Sequence, residues 1–383
     1  MRATVLKELA RARPAGRFVW LSIDTEKPKN AAFLERFPVE VWPTFLVLEA
    51  GGEQAVLKWT GSASRDELLA LLADGERRAR AGPALALARA DAALAAGKKE
   101  EALGAYREAL SLGGPRWEKR PRVVLSLVLA LSTGGTSEAC AATAAEEAKS
   151  LPRDSAFADV VGTGLGCAVE DLPLSPARAL AARALEPLVR EALRLQGLLA
   201  DDRSGLYQAL VESLRARGDE EGARAVARSW WAFLEQDGRR ARTSEARASL
   251  DSARVLSAMS LGDPARALPA LDRSARELPW DYNPPARRAR VLLELGRLDE
   301  AGAAAREALL KGYGPVKLRL YQLLARVLSA RGDLAGEGAA LDEAIEYAAG
   351  LPPAQQREGV LAELKARRAA LLGERRAEEE PAR

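Results

Sequence analysis

Histidine is absent from this 383-residue chain. Its absence removes the commonest general base, the Ser-His and Cys-His nucleophile pairs, and most zinc sites. Cysteine is scarce. Cys140 and Cys167 stand 27 positions apart, with no Cys-x-x-Cys, which excludes a disulfide framework and a Cys-rich metal site. No catalytic residue, metal or cofactor is therefore expected. No run of about 18 apolar residues occurs, so no membrane span is expected. The N-terminus lacks the apolar core and small-residue cleavage site of a signal peptide, and the chain as it stands reads as cytoplasmic. An excess of one charge is missing too. The 57 basic and 54 acidic residues leave a net charge of +3, which gives nucleic-acid binding no support.

What is present is ordinary for a globular protein: 48% hydrophobic and 29% charged residues, with aromatics at 5%. The length is too great for one core and points to two or more units or a solenoid. Ala and Leu dominate and Arg outnumbers Lys, which favours helix.

Beyond about residue 82 the chain is a series of paired helical segments separated by glycine turns. Ala84 to Ala96, Gly97-Lys98-Lys99, then Glu100 to Leu112 is the clearest pair. The same grammar recurs at Gly218-Asp219, Gly262-Asp263, Gly296-Arg297 and Gly332-Asp333. The last three turn glycines are spaced by 34 and 36 residues. Each glycine caps a first helix, where a residue without a Cβ takes the left-handed conformation cheaply. Five positions on, Ala102, Ala223, Ala267 and Ala301 fall where the two helices would cross. Ala109, Ala308 and Ala344 keep the same face small two turns later. Over Ala84 to Leu112 and Leu206 to Leu351 the chain resembles the tetratricopeptide repeat family. It departs at Glu337, where alanine is expected, and in its scarcity of bulky aromatics. Residues 115–200, with degenerate turns at Gly134-Gly135 and Asp171 to Leu174, read as two divergent repeats. Gln355 to Leu372 is expected to cap the stack. Gly373 to Arg383 is expected to be a solvated tail.

Before the repeats, Phe18 to Asp24 is a largely apolar run with the character of a buried strand. Lys29 to Phe37 is a short helical stretch, and Val41 to Leu48 a strand entered through Pro43. Gly51-Gly52 turns the chain, Ala55 to Thr60 is the partner strand, and a helix runs from Ser64 to Leu72. That order, with Pro43-Thr44 before the second strand, is similar to the rear two-thirds of the thioredoxin family. The resemblance implies a cis peptide before Pro43 and a docking ledge for extended peptides at Trp42-Pro43-Thr44. It also implies a Cys-x-x-Cys just upstream of the helix holding Val5, Leu6 and Leu9, so the natural start is expected to lie before Met1. The family's central strand would be upstream with it. Unpaired backbone groups in a buried sheet each cost on the order of 1–3 kcal/mol.

Other features have plainer readings. Cys140 and Cys167, on Ala-rich helical segments, read as buried small hydrophobes, with an inter-helix disulfide open to them if the protein is exported. Gly162 to Gly166 lacks the spacing, preceding strand and Lys-Ser/Thr of a phosphate loop and reads as a loose or broken helix. Trp230 and Trp231 lie about 100° apart on one helix; either both pack between repeats, or one packs and the other faces a groove and anchors a partner. Trp280 to Pro285 reads as an inter-repeat loop, and Glu146-Glu147 and Glu220-Glu221 as solvated.

The chain is thus expected to be mostly α: a partial thioredoxin-like α/β domain over residues 1–76, a tetratricopeptide-type solenoid over 82–372 and a charged tail over 373–383. The function expected is non-enzymatic binding of a peptide or protein partner, with Trp42, Pro43, Thr44, Trp230 and Trp231 as contact residues. The alternative is a thiol–disulfide oxidoreductase whose Cys-x-x-Cys precedes Met1, in an exported or periplasmic protein.

Overall fold

Glycine turns set the architecture. The computed structural model describes residues 18–52, 54–61, 63–76 and 80–379, and for 374–379 the backbone alone. The helix expected to hold Val5, Leu6 and Leu9 lies outside these residues, as do the last four residues of the expected tail. In chain order the elements are α1 (Ala31–Arg36), β1 (Thr44–Leu48), β2 (Ala55–Thr60), α2 (Arg65–Glu76), α3 (Gly82–Ala95), α4 (Lys99–Gly113), α5 (Arg120–Thr133), α6 (Ser137–Glu147), α7 (Ser155–Val169), α8 (Pro176–Ala192) and α9 (Ala200–Ala216). Then follow α10 (Glu220–Arg240), α11 (Ser244–Ala248), α12 (Asp251–Leu261), α13 (Leu268–Glu277), α14 (Asn283–Glu294), α15 (Leu298–Lys311), α16 (Val316–Ala330), α17 (Leu334–Ala349) and α18 (Glu358–Glu379).

The chain divides into two compact units. Among the described residues, one comprises those within 18–21 and 37–234, the other 22–36 and 235–379. In the first, β1 and β2 form an antiparallel hairpin pairing Thr44 with Thr60 and Phe45 with Trp59, with a bulge after Val47. The hairpin packs through β2 on α3, and α3 to α9 pack in succession. In the second, α13 packs on α14, α14 on α15, α15 on α16, α16 on α17 and α17 on α18.

One cap recurs through both units. Lys98 N–H donates to Ala93 O at 2.9 Å, Asp219 to Leu214 at 2.9 Å, Asp263 to Ala258 at 3.0 Å, Arg297 to Leu292 at 2.9 Å and Asp333 to Leu328 at 3.0 Å. In each case the intervening glycine has φ between +69° and +83°. This is the six-to-one bond of a Schellman cap, which satisfies a carbonyl that the helix end would otherwise orphan. Thr136 N–H makes the same bond to Leu131 O at 3.3 Å, with Gly135 at φ +70°. The turn read from sequence as degenerate is therefore the same cap with its glycine one place later. Ala102, Ala223, Ala267 and Ala301 are fully buried, as are Ala109, Ala308 and Ala344. At the departure from the pattern, Glu337 is 2% exposed and takes a two-pronged bond from Arg367 of α18, at 2.6 and 3.0 Å. The missing alanine is replaced by an ion pair that fixes the last helix.

Five expectations are corrected. Phe18 to Asp24 is irregular chain rather than a strand, with Val19 89% and Leu21 73% exposed. Among the described residues the sheet is two-stranded, so no strand pairs with that segment. Cys140 of α6 and Cys167 of α7 are joined in a disulfide, Cα to Cα 6.1 Å, because those two helices pack side by side. Gly162 to Gly166 is unbroken helix in the middle of α7. A Cβ on Gly164 would stand 2.2 Å from the Ala144 Cβ, so that glycine permits the close α6–α7 approach. Glu147 is not solvated: it pairs with Arg120 at 2.6 Å, both side chains largely buried. The last helix also continues beyond Leu372 to Glu379.

Candidate functional site

Where the hairpin meets α3 and α5, a pocket opens between Pro38, Thr44, Lys58, Leu94, Leu125 and Thr133. Its volume is about 40 Å³, room for a few water-sized groups and far below the several hundred Å³ of a typical small-molecule site. It is of side-chain size. Lys58 reaches it from β2, where residues facing both sides of the strand are buried. The Lys58 ammonium donates to Pro38 O at 3.0 Å and Leu94 O at 3.1 Å. Burial depresses its pKa, and Lys99 lowers it further, while Glu40 opposes both by favouring the charged form. Lys99 pairs with Glu40 at 2.9 Å and donates to Thr133 O at 3.2 Å. The polar groups at the pocket thus carry one net positive charge between apolar walls.

Behind the pocket wall lies a buried polar chain. Tyr106 of α4 donates to Asp91 of α3 at 2.9 Å and interacts in turn with Ser126 of the pocket wall. Arg122 of α5 bridges Asp91 and Asp74, the latter at 3.0 Å. Lys119 meets Asp74 at 2.6 Å. Burial pushes Asp91 up to about 6, against the opposing pull of Arg122 and of the Tyr106 hydrogen bond. Burial likewise raises the Tyr106 hydroxyl well above its ordinary value, reinforced by the Asp91 charge. This network ties α2 to α5 and holds the pocket's back wall in place.

The residues singled out in the sequence fall into two places within the first unit. Trp42 is 47% exposed and follows Val41, which lines the pocket. The peptide bond to Pro43 is cis, and Pro43 O accepts from Gly61 N–H at 2.9 Å. Thr44 lines the pocket and donates its hydroxyl to Val41 O at 2.6 Å. On α10, Trp230 is 1% exposed and stacks on Tyr207, ring centroids 6.4 Å apart at 13°. It is part of the packing, and Trp231 beside it is half-buried. Lys58 and Lys99, central to the pocket, escaped the sequence reading. The one signal was a lysine within an otherwise apolar strand.

Among the described residues no group of three or more His, Cys, Asp or Glu is placed to hold a metal ion. No helix among them is long and apolar enough to cross a membrane. No protein-family model matches the chain, and no curated protein matches it. Solved structures do show similarity. The APC/C hetero-tetramer Cut9–Hcn1 matches with 12% identity and a TM-score of 0.37, over 76% of this chain and 50% of that one. The chain thus spans half the length of that neighbour. Acl4, an assembly chaperone of RpL4, matches with 15% identity and a TM-score of 0.37, over 78% and 99%. The TPR2AB domain of yeast Sti1, in complex with pHSP90, matches with 16% identity and a TM-score of 0.29, over 75% and 98%. The helical-repeat description rests on the chain's own glycine caps and buried alanines.

Proposed function

We propose that this chain is a tetratricopeptide-type, non-enzymatic interaction protein that binds an extended peptide or protein segment. The observation that carries this reading is the pocket at the foot of the hairpin, small enough for one side chain and lined by Val41 and Thr44, between which the chain carries the exposed Trp42. A ledge at Trp42-Pro43-Thr44 would receive the partner's backbone while the pocket takes an anchoring side chain, apolar along its stem and accepting a hydrogen bond at its tip. Trp231 supplies a second contact, with Trp230 holding its helix in place. Aromatic anchors beside desolvated pockets commonly dominate interface energies.

Among the described residues the part before the repeats has a two-stranded sheet and no strand over Phe18 to Asp24, which gives a thioredoxin-like domain no support, and no redox step is assigned to it. Both cysteines of the chain are bonded to each other in α6 and α7. That bond supports an oxidising working environment.

Selection from a random 12-residue display library against the purified full chain tests the proposal. The expected result is a consensus peptide whose affinity falls at least tenfold on Trp42→Ala in a chain of unchanged melting temperature. No consensus, or one indifferent to both Trp42→Ala and Trp231→Ala, would overturn it.

A further inference from the structure

The second unit holds a short acidic turn of the chain itself. Asp24 to Lys27 is a turn closed by Lys27 N–H donating to Asp24 O at 3.2 Å. Glu26 N–H donates to the Asp24 carboxylate at 3.0 Å. The turn sits against two connections of the repeats: residues 312–315 with the first residue of α16, Val316, and residues 350–357 between α17 and α18. The Glu26 carboxylate accepts from Val316 N–H at 2.8 Å and from Arg357 at 2.9 Å. Asp24 accepts from the Tyr313 hydroxyl at 2.9 Å. Gln355 donates through Nε2 to two main-chain carbonyls, Thr25 O at 2.8 Å and Lys27 O at 3.1 Å.

These are the contacts by which a protein reads a peptide: carboxylates held by a cation, a hydroxyl and a helix N-terminus, and main chain held by an amide. Residues 23–26 are only half-buried, and none belongs to the apolar core. Two features belong to the receiving surface rather than to the turn. Gly314 has φ +57°, and a Cβ there would stand 1.8 Å from Glu26 O, so the surface is cleared to backbone level where the turn lies. Gln355 is 1% exposed, yet its Oε1 accepts no hydrogen bond. A buried acceptor left over is costly. It marks a place where an occupant with one more N–H donor would fit better than Asp24 to Lys27 does.

We infer that the surface formed by Tyr313, Gly314, Val316, Gln355 and Arg357 is a binding site for an acidic turn of the form Asp-x-Glu. The chain's own Asp24 to Lys27 occupies it in cis, and an acidic segment of a partner protein replaces it in trans. The site lies in the other unit from the hairpin pocket and stands independently of it. A tethered occupant competes at an effective concentration in the millimolar range, so the intact chain is expected to bind such a partner weakly until the turn is displaced.

The test uses the full chain and a fluorescein-labelled peptide of residues 22–30. The Asp24→Ala/Glu26→Ala chain should bind the peptide at least tenfold more tightly than the unsubstituted chain does. Adding Arg357→Ala should take that gain away. Equal binding by the first two chains, or a gain indifferent to Arg357→Ala, would make the turn a fixed part of the fold and overturn the inference. Amide exchange on the unsubstituted chain gives a second reading that needs no variant. Millimolar unlabelled peptide should speed exchange at Lys27 and Asn30 while Val316 stays protected; unchanged rates at Lys27 and Asn30 would count against exchange of the occupant. Failure here leaves the display selection untouched, because that test reads Trp42.

Discussion

Asp91 shows what a single buried charge does to this chain. Its carboxyl is raised from an ordinary 3.8 to about 6 by burial, so folding favours its protonated form. Its contribution to stability is fully present below about pH 4 and is lost as pH rises through 6, by an amount of order 3 kcal/mol. Urea midpoints of the full chain and of Asp91→Asn, compared from pH 4 to pH 7, should show the unsubstituted chain losing ground to the variant as pH rises. A gap moving the other way would mean that Arg122 and Tyr106 hold the carboxylate more strongly than burial opposes it. Two neighbouring glycines make a second residue-level prediction. Gly164→Ala puts a Cβ 2.2 Å from Ala144 and should cost about 1–3 kcal/mol through overpacking. Gly166→Ala meets nothing within 4 Å and should stabilise α7 by up to about 1 kcal/mol. Thermal melts of the two variants check the opposite signs.

At the scale of elements the repeats were legible because their turns carry a chemical requirement. A six-to-one cap needs a left-handed residue, and glycine marks it at 97, 218, 262, 296 and 332. Gly135 performs the same task, but the adjacent Gly134 concealed which of the two was the cap. β2 was readable to the residue because a Gly51-Gly52 turn fixes the register of a hairpin. The run from Phe18 to Asp24 misled for an opposite reason: apolar character gives a strand only where a neighbour pairs with it. The disulfide was hidden because helix–helix contact in residues 115–200 follows from glycine packing at Gly164, which no spacing rule announces. Its prediction belongs here as well. Closing a loop of 27 residues stabilises by about 3–4 kcal/mol on the chain-entropy model. Reductant, or Cys140→Ala/Cys167→Ala, should therefore lower the melting temperature of the full chain by several degrees. An unchanged melt would show that α6 and α7 are held by packing alone.

At the scale of the molecule, the two proposed sites fall in different compact units: the side-chain-sized pocket lined by Val41 and Thr44 in one, and the surface under Asp24 to Lys27 in the other. Trp42-Pro43-Thr44, at the edge of the first, was singled out in the sequence; the lysines of its pocket and the whole of the second were not. Lys58 and Lys99 come from β2 and α4, and Glu26 and Arg357 are separated by 331 residues. Such sites exist only once the fold has gathered them. The repeats were visible because their information is local, and the lysine pocket and the second site were not because theirs is distant. The central claim is that the first unit binds a peptide at the foot of its hairpin. Amide exchange of the full chain, with and without the peptide recovered by display selection, tests it most directly. New protection should fall on residues 41–60 and on the pocket-facing parts of α3 and α5. Protection confined elsewhere, or none at saturating peptide, would contradict the account.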